Sequence, residues 1–125
     1  MKYLIAGLVA AVSLAAPGIL PPLGLPLPSP SLAAAATETF TGIIIDDMCA
    51  NTGHAAMRMG PTDAECTAAC VSIHDAAYVL QDGKTIYKLS DQRAPEKFAG
   101  QKVAVTGTLD AKTKTIHVDS MEAAK

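Results

Sequence analysis

Side chains that bind soft metal ions are concentrated between positions 49 and 74 of this sequence. Thiolate, imidazole and thioether groups suit Cu(I), and thiolate with imidazole suits Zn(II). Three of these residues recur every fourth position, which on a helix places them on one face, one turn apart. The sequence therefore indicates a candidate copper or zinc site, built from a helix and the loop before it. Its candidate ligands are Cys49, His54, Met57, Cys66, Cys70 and His74.

The three cysteines also allow a structural interpretation. Cys66 and Cys70 project in parallel from successive helical turns, so they are poorly placed to pair with each other. A disulfide from Cys49 to Cys66 or Cys70 would pin the loop to the helix and contribute roughly 3 kcal/mol. The remaining cysteine would then be a buried thiol. Redox-active thiols are a third alternative, although the spacing is not the CxxC of thioredoxin-type sites. With either a disulfide or a metal, Cys49 is expected close to Cys66 or Cys70.

No catalytic arrangement is visible in the sequence. Ser72, His74 and Asp75 resemble a hydrolytic triad in composition only, because neighbours on a helix point apart. His117 alternates with Ile116 and Val118 and is expected to face solvent. There is also no glycine-rich phosphate loop. We therefore predict a binding protein that is not an enzyme.

The first 36 residues have the pattern of a secretory signal peptide. From Tyr3 to Thr37 the chain has no charged residue and no histidine, and residues 4–16 are an uninterrupted apolar run. Prolines follow, which disfavour a membrane-spanning helix, and Ala33–Ala36 offers small residues for cleavage. We predict export to the periplasm or the medium, with no stable membrane insertion once residues 1–36 are removed.

Residues 37–125 are enough for one small domain. Without Lys2 the chain keeps 9 of its 10 lysines and arginines against 12 acidic residues. This balance disfavours nucleic acid, whose binding depends on basic side chains. We expect a monomer whose partner is a metal ion, a protein or a saccharide.

Local patterns predict five strands and two helices. Thr62 and Glu65 match a capping box, which predicts a helix over Asp63–His74. Asp82-Gly83 predicts a tight turn between two strands, and alternation of apolar and polar residues marks the last two strands. Residues 46–61 have no clear period and are predicted to be an irregular loop. The predicted strands are 40–45, 78–81, 84–89, 102–109 and 115–120, with a short helix at 94–99.

Without residues 46–77, this order is strand, strand, strand, helix, strand, strand, which is the order of the OB-fold. We predict a mainly β domain, a small OB-like barrel of five antiparallel strands, with an insert at 46–77 after the first strand. The first and last loops of such a barrel would contact the ligand.

Several stretches resemble small exported bacterial proteins of OB-like fold. The segment Asp47-Met48-Cys49, with His54, Met57 and Cys66–Cys70, is similar to one uncharacterised group among them. The resemblance implies the fold and an exported location, and it implies no established activity. The other stretches that carry it are 41–46, 78–80 with 86–87, and 103–109 with 116–118.

Overall fold

The computed structural model describes residues 35–125, together with Gly18 and Gly24. The predicted signal peptide lies almost wholly outside these described residues, so its prediction stands on the sequence alone. Over the part of the chain that is described, none of the helices combines the length and hydropathy of a membrane-spanning segment.

Five strands form one sheet that closes on itself in a ring. The strands are β1 (Thr37–Asp46), β2 (Tyr78–Asp82), β3 (Thr85–Leu89), β4 (Lys102–Asp110) and β5 (Thr115–Ala123). Round the ring, β1 pairs with β2, β2 with β3, β3 with β5, β5 with β4, and β4 with β1. The register places Ile44 opposite Leu80 and Phe40 opposite Val105.

The sheet is mixed, which corrects the prediction of five antiparallel strands. Four of the five pairs are antiparallel, and β3 with β5 is parallel through Lys88–Thr115 and Leu89–Ile116. The reason is geometric, because strand direction cannot alternate all the way round a closed ring with an odd number of members. At least one pair must be parallel, and it falls where β5 returns beside β3.

The inside of the ring is the main hydrophobic core. Inward residues alternate with outward ones along each strand, and β4 shows this with Val103 and Val105 fully buried. The outward His117 is exposed, as expected. Other fully buried residues of this core are Ile44, Leu80 and Ile116.

Three helices lie between β1 and β2. They are α1 (Asp47–Thr52), α2 (His54–Met57) and α3 (Asp63–His74). The bounds of α3 are those predicted, whereas the predicted irregular loop is largely the two short helices. The cap of α3 differs from a full capping box: the Thr62 hydroxyl accepts from the Glu65 backbone N–H at 3.2 Å and donates to the Glu65 carboxylate at 2.7 Å.

The two ends of the helical insert are hydrogen-bonded to each other. The Asp47 N–H donates to the Ala77 carbonyl at 2.9 Å, and the Ala77 N–H donates to Asp47 Oδ1 at 3.1 Å. Directly beside this link, Asp46 at the end of β1 pairs with Tyr78 at the start of β2. The chain therefore leaves and re-enters the sheet at one point, which fixes where α1 begins and where the segment after α3 returns to the sheet.

A short 3₁₀ helix, Ala94–Phe98, precedes β4. It is followed by Gly100, whose φ of 73° lies in the left-handed region that glycine tolerates. An added Cβ at Gly100 would lie 2.8 Å from the backbone nitrogen of Ala64. The first turn of α3 is thus packed directly on the turn that leads into β4.

Candidate metal centre

Three cysteine side chains meet in a second, smaller core beneath the insert helices. Cys49 comes from α1, and Cys66 and Cys70 come from α3; they are 2%, 1% and 0% exposed. The Sγ atom of Cys49 lies 3.7 Å from that of Cys66 and 4.0 Å from that of Cys70. All three Sγ atoms lie within 4.8 Å of one another. We call these three residues the cysteine cluster.

The local sequence explains why the three thiols converge. Asp46 is the N-cap of α1, and its Oδ1 accepts from the Cys49 N–H at 2.8 Å, which sets the first turn of that helix. Cys66 and Cys70 are one turn apart on α3, so both face the same neighbour. Since the two ends of the insert are hydrogen-bonded at Asp47 and Ala77, α1 lies against that face.

The sulfur separations fit a shared metal ion and exclude a formed disulfide. In a tetrahedral site with metal–sulfur bonds of about 2.3 Å, neighbouring sulfur atoms lie about 3.8 Å apart. The observed 3.7 and 4.0 Å are close to this value. A disulfide has an S–S bond of about 2.05 Å, and all three cysteines are free thiols. The disulfide expected from Cys49 to Cys66 or Cys70 is therefore not formed.

The electrostatic surroundings favour the protonated thiols in the absence of a cation. Burial, and then a hydrogen bond to Asp46, raise the pKa of Cys49 far above its usual range. Burial, followed by the charge of Asp46, also raises the pKa of Cys70. Asp46 is itself fully buried, and its Oδ2 has no hydrogen-bond partner among the described residues. A cation at the cluster would offset the negative charge of Asp46 and favour the thiolate form of the cysteines.

Three thioethers surround the cluster. Met48, Met57 and Met59 pack against it, and each is partly exposed. The other residues of this small core, Val71 and Ala76, offer no ligand atom. Apart from the buried Asp46 carboxylate, the immediate surroundings of the thiols are therefore sulfur and hydrocarbon, and thioether and thiolate sulfur are ligands that soft metal ions prefer.

The predicted histidine ligands lie outside the cluster. In the part of the chain that is described, the cluster that can hold a metal ion contains only the three cysteines among Cys, His, Asp and Glu side chains. His54, on α2, lies with Nδ1 3.9 Å from Asp63 Oδ1, and neither ring nitrogen has a hydrogen-bond partner there. His74, the last residue of α3, is exposed. Of the six predicted ligands, the structure brings together the three cysteines, with Met57 packed beside them.

Two features of the site are not predicted from the sequence. Asp46 falls within the predicted loop 46–61, although an aspartate just before a helical segment is a known N-cap signal. Met48 and Met59 are not among the predicted ligands; they carry the same thioether as Met57, so residue type alone could have indicated them.

A separate groove of about 690 Å³ opens beside the insert. Its walls come from α1, β2, β3 and the turn between β4 and β5, with Ile86 and Leu89 on its apolar side and Lys88 and Lys114 among its polar residues.

Fold and cluster together define a small, mainly β domain with a buried three-thiol site in a helical insert. Residues 71–124 match the family described as "Protein of unknown function (DUF5818)". The match begins within α3 and runs through β2–β5, so all three cysteines precede it. No curated protein and no solved structure matches the chain.

Proposed function

We propose that this protein is an exported, non-catalytic binding domain that holds a soft metal ion, copper(I) or zinc(II), through Cys49, Cys66 and Cys70. The observation that carries the proposal is the separation of the three buried Sγ atoms, 3.7 and 4.0 Å from Cys49 and all within 4.8 Å. Each thiol that binds the ion releases its proton, so binding is coupled to pH.

The same observations disfavour the two alternative uses of the thiols. A structural disulfide would use two cysteines and leave the third as a buried thiol, whereas here one sulfur atom lies near both others. Redox-active cysteines are usually partly exposed and have a lowered pKa. These cysteines are at most 2% exposed, and the pKa values of Cys49 and Cys70 are raised.

The proposal extends to the fold and the location. We propose that the ring is an OB-like barrel, because its five strands carry a short helix, Ala94–Phe98, between β3 and β4. The insert that carries the cysteines follows β1, where OB-fold proteins bind ligands. Export rests on the uncharged apolar leader and its terminal alanines.

Metal content and thiol count together test the proposed function. The protein is purified without oxygen from cells that express the full chain, and its copper and zinc are measured beside its free thiols. We expect one equivalent of bound metal and three thiols that become reactive only after the metal is removed. A protein with one free thiol and no affinity for either ion would contradict the proposal and favour a disulfide.

Matched variants locate the site. Cys49→Ser, Cys66→Ser and Cys70→Ser should each weaken metal binding strongly, since each removes one ligand from a site with only three thiols. His74→Ala is the control, because His74 lies on the same helix but is exposed. It should bind metal as tightly as the unchanged protein. Loss of binding in His74→Ala with retention in Cys66→Ser would overturn the assignment.

A further inference from the structure

The three thiols are closed off from solvent, so a bound ion must pass other side chains to reach them. The cysteine cluster is 0 to 2% exposed. The partly exposed hydrophobic residues that pack against it are Met48, Met57, Met59 and Val71. Val71 is a hydrocarbon side chain and cannot bind an ion in transit. Among these hydrophobic neighbours, the residues with a ligand atom are therefore the three methionines.

Two of these methionines, Met57 and Met59, lie at the end of α2 and directly after it, and α2 has no side-chain cap. Met57 ends α2, which is only four residues long. The N-cap of α2, Gly53, provides no side-chain hydrogen bond, and its C-cap, Arg58, has a left-handed φ of 44°. Met59 follows at once. Met48 instead lies within α1, which is capped by Asp46 and tied to Ala77.

We infer that the site exchanges copper(I), and that Met57 and Met59 are the ligands through which the ion enters and leaves. This inference rests on the proposed function. Thioether sulfur binds Cu(I), whereas Zn(II) in proteins is bound by thiolate, imidazole and carboxylate. A path lined by thioethers therefore serves copper(I) and gives no assistance to zinc.

Each step of this exchange is a ligand substitution with no change of oxidation state. A thioether of Met59 or Met57 bonds to Cu(I) as a ligand of the donor leaves. Cysteine sulfurs then replace the thioethers, and each thiol that binds as thiolate releases its proton to solvent. Release to an acceptor is the reverse sequence. The partner is thus a molecule that itself presents soft sulfur or nitrogen ligands for Cu(I).

Transfer kinetics test the inference. The full-chain protein, loaded with Cu(I) without oxygen, is mixed with excess chromogenic Cu(I) chelator, and the transfer rate is followed by stopped flow. Met57→Leu, Met59→Leu and the double variant keep similar side-chain volume and remove the thioether. We expect the double variant to transfer copper about tenfold more slowly, the scale of change when groups near a metal are altered, with an unchanged equilibrium affinity.

Two controls separate a ligand role from a merely steric one. Met121→Leu alters a partly buried methionine that packs on the ring core instead, and it should leave the rate unchanged. Zinc release should be equally fast in the unchanged protein and the double variant. The inference would be overturned if the unchanged protein and the double variant transferred copper at equal rates. It would also be overturned if the double variant slowed copper transfer and zinc release equally. Either result would leave the three-thiol site intact. Failure of the unchanged protein to bind Cu(I) while it binds Zn(II) would overturn the inference alone, whereas failure to bind either ion would overturn the proposed function itself.

Discussion

At the scale of single residues, Asp46 links the backbone to the chemistry of the site. One of its oxygens caps α1 by accepting from the Cys49 N–H at 2.8 Å. The carboxylate is fully buried, and its charge contributes to the raised pKa values of Cys49 and Cys70. Thiolates are the nucleophilic form of cysteine, so protonated, buried thiols resist oxidation before a metal ion binds.

Asp46→Asn tests this link, because asparagine caps helices as well as aspartate and has no charge. We expect the pKa of Cys49 to fall relative to the unchanged protein. It should remain above the ordinary value of 9.0, since burial is the largest cause of the shift. The thiolate absorbance of the metal-free protein as a function of pH measures this. Asp47→Asn, at an exposed neighbour, should leave the curve unchanged; identical curves for all three proteins would show that the Asp46 charge does not act on the thiols.

The spacing of residue types predicted part of the site and misplaced the rest for an identifiable reason. Cys66 and Cys70 share a face because four residues complete slightly more than one helical turn. The same excess accumulates, so that a residue eight positions further on is rotated about 80° past two full turns. His74 is therefore turned away from Cys66, and it also ends the helix at the left-handed C-cap Asp75. The position of His54 depends on the path of a short insert that no local pattern specifies.

At the scale of elements, the attachment of α3 to the ring depends on a close backbone contact. Gly100 has a positive φ and lies where an added Cβ would meet the Ala64 nitrogen at 2.8 Å and its Cα at 2.9 Å. Cys66 lies two residues after Ala64. This contact therefore holds the end of α3 that supplies the first helical thiol.

Comparing Gly100→Ala with Gly83→Ala isolates that contact. Both glycines have positive φ, 73° and 57°, but an added Cβ at Gly83 meets nothing within 4 Å. Gly83→Ala should cost about 1–2 kcal/mol from backbone strain alone. Gly100→Ala should cost more, because it also pushes α3 away, and it should weaken metal binding whereas Gly83→Ala does not. Urea unfolding and metal titration measure the two effects; equal losses in both variants would mean that the α3 contact contributes nothing.

Elements that depend on nearby residues were predictable, and those that depend on distant ones were not. The cap at Thr62 and the Asp82-Gly83 turn act within a few residues, and α3 and the hairpin lie where these signals place them. By contrast, α1 has a local cap in Asp46 but also depends on a residue 30 positions away, since Asp47 is held by Ala77. A six-residue helix has too little intrinsic stability to be visible in its own sequence.

At the scale of the whole molecule, the domain has two cores that respond differently to conditions. The ring core is hydrocarbon and aromatic, with Ile44, Leu80 and Ile116 fully buried. The smaller core beneath the insert contains three ionisable thiols. We therefore expect its stability to depend on pH and, under the proposed function, on metal, whereas that of the ring core depends mainly on burial. Tyr78, at the start of β2, is the ionisable member of the ring core, and burial, then Glu96, raise its pKa.

The last prediction is that the metal-free protein loses stability as the pH rises above 9.0. In the unfolded chain the thiols ionise near 9.0, but in the folded protein Cys49 and Cys70 keep their protons to higher pH. Above 9.0 the folded state binds more protons, so the free energy of unfolding falls with pH, by up to about 1.4 kcal/mol per pH unit for each such group. Tyr78 adds to this fall only above its ordinary value of 10.0.

Urea unfolding at a series of pH values checks the prediction, with variants that separate the contributions. The double variant Cys49→Ser, Cys70→Ser should lose most of the fall between pH 9.0 and 10.0, whereas Tyr78→Phe should keep it and lose only the part above 10.0. Metal-loaded protein should also show little fall in the lower window, because its thiols are already bound as thiolates. A metal-free protein whose stability is constant or rises from pH 9.0 to 10.0 would contradict the argument, since buried protonated thiols that ionise more easily on unfolding must favour the unfolded chain at alkaline pH.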